Sequence, residues 1–323
     1  MPSPSSSLAT LRPELGSMME FDLAMDRLGF IGNRCLPTIE VGKQAGTFGK
    51  IPLEQLLQTR DTIRAPGSGY ARGQFTFTSA TYACEEHGAE EPVDDREAKM
   101  YVDYFDAEQV AAQRAYDAVL RNAEIRAATL LFNATTFTSQ TTSITHEWDD
   151  ATNAVPITDV ETAVRAVWAR TGMWPNALII NRTVFRNLRS VAQVISRIES
   201  AGAGDPSKAS DVTVQMLSAV FDLPYILVAG SVKNTADEGL TASLANIWSD
   251  EYAMVACIAT NNDIRQPCIG RTMHWSEDGS QPGGTPESYR DETVRSDIIR
   301  VRHDVDELIL YTEAAQLFDN VTT

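Results

Sequence analysis

The side chains best suited to proton transfer or metal ligation near neutrality are four histidines, His87, His146, His274 and His303. They share no repeated spacing. No G-x-S-x-G elbow, H-E-x-x-H helix or G-x-x-x-x-G-K-[ST] loop occurs. Gly67, Gly69 and Gly73 echo a dinucleotide-binding loop, but the spacing is wrong and a strand follows in place of a phosphate-holding helix. Gly49-Lys50 lacks the Ser or Thr and the upstream glycines of a nucleotide cradle. Ser276-Glu277-Asp278-Gly279 resembles a calcium loop in composition alone. Glu86, His87, Glu90 and Glu91 form the best metal candidate, but one histidine among acids has no recognisable ligand spacing. The reading therefore expects no catalytic residue, cofactor or metal, a site assembled from distant residues being the exception it leaves open.

Bulk properties point the same way. In 323 residues, 44 acidic against 27 basic side chains give a net charge of −17, which disfavours groove-reading of nucleic acid. No run of 18 apolar residues exists to span a membrane. Residues 1–9, rich in Ser and Pro, lack a secretion-signal layout and read as a flexible arm. Cys35, Cys84, Cys257 and Cys268 form no C-x-x-C pair and read as free buried thiols, a Cys35–Cys84 bridge being the lesser alternative.

Around this absence of chemistry stands a strong architectural signal. Residues 95–133 carry apolar side chains on a helical period without Pro or Gly, capped by Asp94 and Asp95 and stopped by Asn133. The pattern predicts one helix roughly 55 Å long, with Asp103, Asp106, Gln113, Arg114, Asp117, Arg121 and Glu124 on its polar face. A helix broken once by a kink is the alternative.

Before it, Leu11 to Leu28 reads as a loosely helical arm, and residues 38–84 as a two-stranded arm. Thr38-Ile39-Glu40-Val41 and Phe48–Pro52 form one limb, Gln74–Thr78 the return, and Ala65-Pro66-Gly67-Ser68-Gly69-Tyr70 the tip. Such a ribbon has too little core to stand alone in water. Lys43, Lys50, Arg60, Arg64 and Arg72 make it basic, while Glu85, Glu86, Glu90, Glu91, Asp94 and Asp95 follow at once. The arm's tip more naturally reaches a neighbour's acidic segment than its own, giving a charge-matched contact between copies. Two independently solvated clusters are the plainer alternative.

After the helix, 133–145 reads as an edge hairpin or loop. Apolar strands at 177–180, 225–229 and 253–258 alternate with helices at 159–170, 183–188, 191–198 and 212–221, a sheet between helices. Residues 199–206 read as mobile and 275–287 as a loop. The tail alternates: Ile299, Val301, His303 and Val305 on one face, with His303 a core histidine, and Arg300, Arg302, Asp304 and Asp306 on the other, able to pair across strands.

This ordered series resembles the major capsid proteins of tailed bacteriophages with the HK97 fold. The matching residues are Phe30–Arg34, Phe48–Pro52, Gly88–Arg96, Asn176–Asn181 and Arg295–Arg300, and the resemblance runs through the whole chain. It implies an α+β fold: N-terminal arm 1–35, extended E-loop 36–84, peripheral domain with spine helix 85–155 plus 291–323, and an inserted α/β axial domain 156–290. It further implies a non-enzymatic protein that builds hexamers and pentamers into an icosahedral shell around double-stranded DNA. The shell would hold DNA non-specifically and contact no membrane, with a portal, a separate scaffolding protein or none, and in some cases a decoration protein. Assembly would occur in the bacterial cytoplasm. Lys43 and Lys50 are E-loop lysines, but no acceptor Asn and helper Glu are identifiable, so no covalent cross-link is expected. The competing expectations are an encapsulin-like compartment and a soluble α/β enzyme.

Overall fold

Two large sheets, with two two-stranded pairs beside them, divide the chain, and one long helix lies across both large sheets. The computed structural model describes residues 10–11, 29–50, 52, 55, 57–60, 62–70, 72–73, 76, 78–101, 106–200, 212–237, 239–263 and 266–322. The predicted arms at 1–9 and 12–28, most of the mobile run at 199–206, and Gln74, Phe75 and Phe77 lie outside the described residues.

The strands are β1 (Thr10–Leu11), β2 (Thr38–Val41), β3 (Ala45–Lys50), β4 (Thr78–Ala83), β5 (Glu85–Asp94), β6 (Thr141–Ser143), β7 (Ala177–Asn181) and β8 (Tyr225–Ala229). They continue as β9 (Val232–Asn234), β10 (Leu244–Asn246), β11 (Ala253–Ala256), β12 (Gly270–Trp275), β13 (Thr285–Asp291), β14 (Ser296–Ile309) and β15 (Ala315–Asp319). The helices are α1 (Gly32–Cys35), α2 (Asp95–Tyr101), α3 (Ala107–Leu131), α4 (Pro156–Thr171), α5 (Arg182–Leu188), α6 (Ala192–Ser200) and α7 (Val214–Phe221).

The five-stranded sheet has the order β6-β15-β11-β7-β8. Its central strands are apolar on both faces because both faces are covered. Leu178, Ile180, Val255 and Phe318 point into a core with α4 to α7, while Ala177, Ile179, Met254 and Leu317 point the other way onto Ala127, Ala128 and Leu131 of α3. The sheet sandwiched between helices is as predicted.

The second sheet has the order β1-β13-β14-β12-β2, with β5 on the other edge of β14. Ala111, Ala112, Ala115 and Val119 of α3 bring that helix close onto Val93, Ile299 and Val301. Small side chains allow the approach. The two sheets interleave along the sequence: β6 and β15 lie outside residues 156–290 but pair into the first, and β12 and all of β13 but Asp291 lie inside that range but pair into the second.

Several expectations change. The single helix over 95–133 is two helices, α2 and α3, the second of 25 residues. Asp106 causes the restart: its backbone is extended, and its carboxylate accepts from the N–H groups of Glu108 (3.0 Å) and Gln109 (3.4 Å). The Asp94 carboxylate caps α2 likewise, through Arg96 at 2.8 Å. Thr38–Val41 is not part of the arm but lies parallel to β12 in the larger sheet, and the return limb is Thr78–Ala83. The acidic segment is a strand, β5, paired with β14 from Ser296↔Asp94 to Val305↔Glu85. Glu124 is buried, not on the polar face. All four cysteines are buried and free.

Candidate assembly interface

The hairpin of β3 and β4 runs in register from Ala45↔Ala83 to Lys50↔Thr78. Its root is fixed to its own subunit. Phe48 packs against Ala259, Cys268 and Leu310, and the Ala83 N–H donates to Asp306 at 2.8 Å. The Lys50 ammonium donates to the Leu310 carbonyl and sits 4.1 Å from the centroid of the Tyr311 ring. Burial there pulls the Lys50 pKa down, with Glu313 opposing.

Past the root the loop leaves the body. Every described residue from Leu57 to Ser79 is exposed, with Ile63 at 86% and Tyr70 at 73%. The tip is a turn over Ala65-Pro66-Gly67-Ser68, closed by the Ser68 N–H to the Ala65 carbonyl at 3.1 Å. Gly67 takes the left-handed φ of +86° that such a turn requires. Arg64 braces the tip: its Nε donates to the Ser68 carbonyl at 2.6 Å, and its guanidinium lies 4.9 Å from the Tyr70 centroid. Arg60 crosses the loop, its guanidinium filling the space beside Gly73 that a β-carbon would take. Lys43 and Arg72 are exposed.

The acidic residues find basic partners elsewhere in the same chain. Asp95 grips Arg290 through two contacts of 2.7 Å. Glu91 lies 3.5 Å from Arg114 of α3, and Glu90 lies 3.9 Å from Arg300 while accepting from the Tyr289 hydroxyl at 3.1 Å. The Arg290 contacts hold the Asp95 carboxyl below its ordinary value. Glu85 and Glu86 are exposed. Strand alternation sends Glu86 and Glu90 to one face and His87 and Glu91 to the other, so these four do not converge on a metal.

Three features escaped the sequence reading. Glu124, 2% exposed, accepts from the N–H groups of Ile31 (2.8 Å) and Gly32 (2.7 Å) and from Trp248 Nε1 (2.6 Å). It ties α1 and the loop before β11 to the spine, and burial raises its pKa against those three donors. The second feature is a buried charge network on β14. Arg300 and Arg302 both reach Glu287 across the strand pair, as the alternation predicts, but Arg302 also binds Asp278, and Asp278 shares a hydrogen bond with Asp304. Desolvation, then Asp278 itself, drives the Asp304 pKa up. The third is a pair of exposed tryptophans, Trp168 and Trp174. A carboxylate or tryptophan on a helical period carries no sequence mark of which way it faces.

His303 is a core residue as expected. Its Nδ1 donates to the Pro282 carbonyl at 3.0 Å, its ring meets His87 edge-on at 6.0 Å, and burial pulls its pKa down to about 4. Among the described residues no helix is long and apolar enough to cross a membrane.

No model of a known protein family matches the chain. It is 26% identical over 208 residues to the major capsid protein of Burkholderia phage BcepMu, covering 63% of this chain and 64% of that protein, so the match spans just under two thirds of that relative. It is 23% identical over 294 residues to the major capsid protein of Pseudomonas phage JBD67, covering 90% and 91%. Among solved structures, a phage-related protein from Bordetella bronchiseptica RB50 superposes with a TM-score of 0.70 at 20% identity, over 97% of each chain. The capsid of cyanophage P-SCSP1u superposes with a TM-score of 0.57 at 10% identity, over 88% of this chain and 86% of that one. The chain is thus similar in sequence to major capsid proteins of phages, and its α+β fold is the HK97-like fold of phage capsids.

Proposed function

We propose that this chain is a shell-forming structural protein, without catalytic role, whose copies build hexamers and pentamers of an icosahedral capsid enclosing double-stranded DNA. The observation that carries the reading is the hairpin. Its paired strands pack on their own subunit, yet its whole described outer part, which carries no strand, is exposed with Ile63 and Tyr70 uncovered, and so long a loop is ordered best on a further surface. A neighbouring copy supplies that surface. In this reading Lys43, Lys50, Arg60, Arg64 and Arg72 face an adjoining subunit, with Glu85, Glu86, Glu90, Glu91, Asp94 and Asp95 as the matching acids. Lys50 contributes from the root, and Glu85 and Glu86 carry the most accessible negative charge. Residues 1–35 serve as the N-terminal arm, 36–84 apart from β2 as the E-loop, 85–155 with 291–323 as the peripheral domain, and 156–290 as the axial domain, with β2, β12 and β13 joining the peripheral sheet and β6 and β15 the axial one. A portal and a separate scaffolding protein complete the particle, with a decoration protein as an optional addition, and assembly takes place in the bacterial cytoplasm before the virion is released.

Negative-stain microscopy of the expressed full chain tests this: shells, rings or sheets are expected. Replacing 58–72 by a short Gly-Ser bridge should leave a folded chain that no longer assembles. Monodisperse monomers at high wild-type concentration would overturn the proposal. An encapsulin-like compartment predicts a co-purifying enzyme cargo where the capsid reading predicts nucleic acid and a portal vertex.

A further inference from the structure

We infer that Trp168 and Trp174, together with Leu57, form an apolar patch that becomes buried against a second copy of this chain, continuing the hairpin contact into one face. The inference rests on the shell-forming reading and names a part of the contact which that reading leaves unspecified.

Helix α4 is held rigidly. Val160, Ala163, Val164 and Val167 are buried on the five-stranded sheet side, and the helix ends at Gly172, whose N–H bonds the Trp168 carbonyl at 2.8 Å with φ at +68°. Thr171 then binds the Met173 N–H at 3.1 Å, fixing the reversal. This frame presents Trp168 and Trp174 outward, 53% and 56% exposed, with ring centroids 6.4 Å apart at 61°. Two tryptophans so fixed expose an apolar area on the order of 300 Å², comparable to the largest apolar patch of an ordinary monomer, which is often functional.

Leu57 identifies the occupant. It belongs to the loop that leaves the root of the hairpin, and it rests on the Gly172 turn: a β-carbon at 172 would lie 3.0 Å from Leu57 Cδ2. Leu57 is itself 53% exposed. The loop therefore departs from the body at the tryptophan pair, and a copy that receives the loop is drawn up against the same patch. The contact is head-to-tail, the patch of one subunit meeting a different surface of the next, which is the arrangement that closes rings.

The test uses tryptophan fluorescence on the full-length chain. Trp148 and Trp248 are fully buried and Trp275 is half-buried, so acrylamide quenching of the dispersed chain reports mainly Trp168 and Trp174. Assembly should cut the quenching constant by about half and shift emission to the blue, and W168F/W174F should abolish that change. In parallel W168S/W174S, which alters exposed side chains, should keep the thermal midpoint of the dispersed chain while raising the concentration needed for assembly at least about tenfold. Shells that form with unchanged quenching, or a serine variant that assembles like wild type, overturn the inference and leave the shell-forming reading intact. A wild-type chain that never assembles overturns that reading first, and this inference with it.

Discussion

Glu124 shows how one carboxylate joins three parts of the molecule. Its two oxygens receive three N–H donors from Ile31, Gly32 and Trp248. Glu124→Gln must turn an amide N–H₂ towards donors, so at least one buried N–H loses its acceptor, a cost of about 1–3 kcal/mol. Urea unfolding should show the loss, and a glutamine variant as stable as wild type would refute the staple. The β14 histidine and aspartate make opposite demands on pH. His303 is held neutral with its pKa at about 4, so it binds fewer protons folded than unfolded, and its contribution is lost as pH falls from 6.5 towards 4. Asp304 has a raised pKa, so it binds more protons folded, and its contribution is lost as pH rises above the ordinary carboxylate range. Across the interval they share, the two slopes oppose one another. Asp304→Asn keeps a donor for Asp278 and removes only the falling limb. Its thermal midpoint, scanned from pH 4 to 6.5, should climb more steeply than that of wild type. Parallel curves would show that Asp304 does not hold a proton there.

At the scale of elements, legibility followed burial. β7, β8 and β11 stand out in the sequence because both their faces are covered, which forces continuous apolar runs. β5 does not, since Gly88, Pro92 and its acids suit a loop locally. Its strand form comes from pairing with β14 some two hundred residues later, where Arg300 answers Glu90, while Arg290 of β13 holds Asp95 just past the strand end. Pro92 is tolerated because, among the described residues, β5 pairs on one side only. The spine was legible in period but not in its break, because an aspartate on a helical polar face and an aspartate at an N-cap look the same in sequence. The geometry of Asp106 separates them and sets an expectation. Asp106→Ala should cost about 1 kcal/mol, and Asp106→Asn, which keeps the acceptor, much less. Denaturant midpoints ordered otherwise would mean that the restart of α3 is imposed by packing of Ala111 and Ala112 and not by the cap.

For the whole molecule the question is how copies carrying −17 each come together at all. Repulsion between like-charged bodies acts over the Debye length, which shrinks from about 30 Å at 10 mM salt to about 8 Å at 150 mM. Contacts between a basic loop and acids on a neighbour act within a few ångströms and survive that screening better. Salt over this range should therefore lower the concentration at which shells form. Location should matter beyond net charge. Reversing Lys43, Arg64 and Arg72 to glutamate takes each copy from −17 to −23, two charges for each of three sites. Reversing the exposed Arg165, Arg186 and Arg197 changes the total identically. If the hairpin meets acids on an adjoining copy, the first set blocks assembly even at 150 mM salt, while the second set recovers as the long-range repulsion is screened. Light scattering during a salt titration distinguishes the two sets. Equal recovery would mean that the basic residues of the hairpin serve only to moderate the total charge, and that the apolar side chains of the loop and the tryptophan pair carry the contact instead.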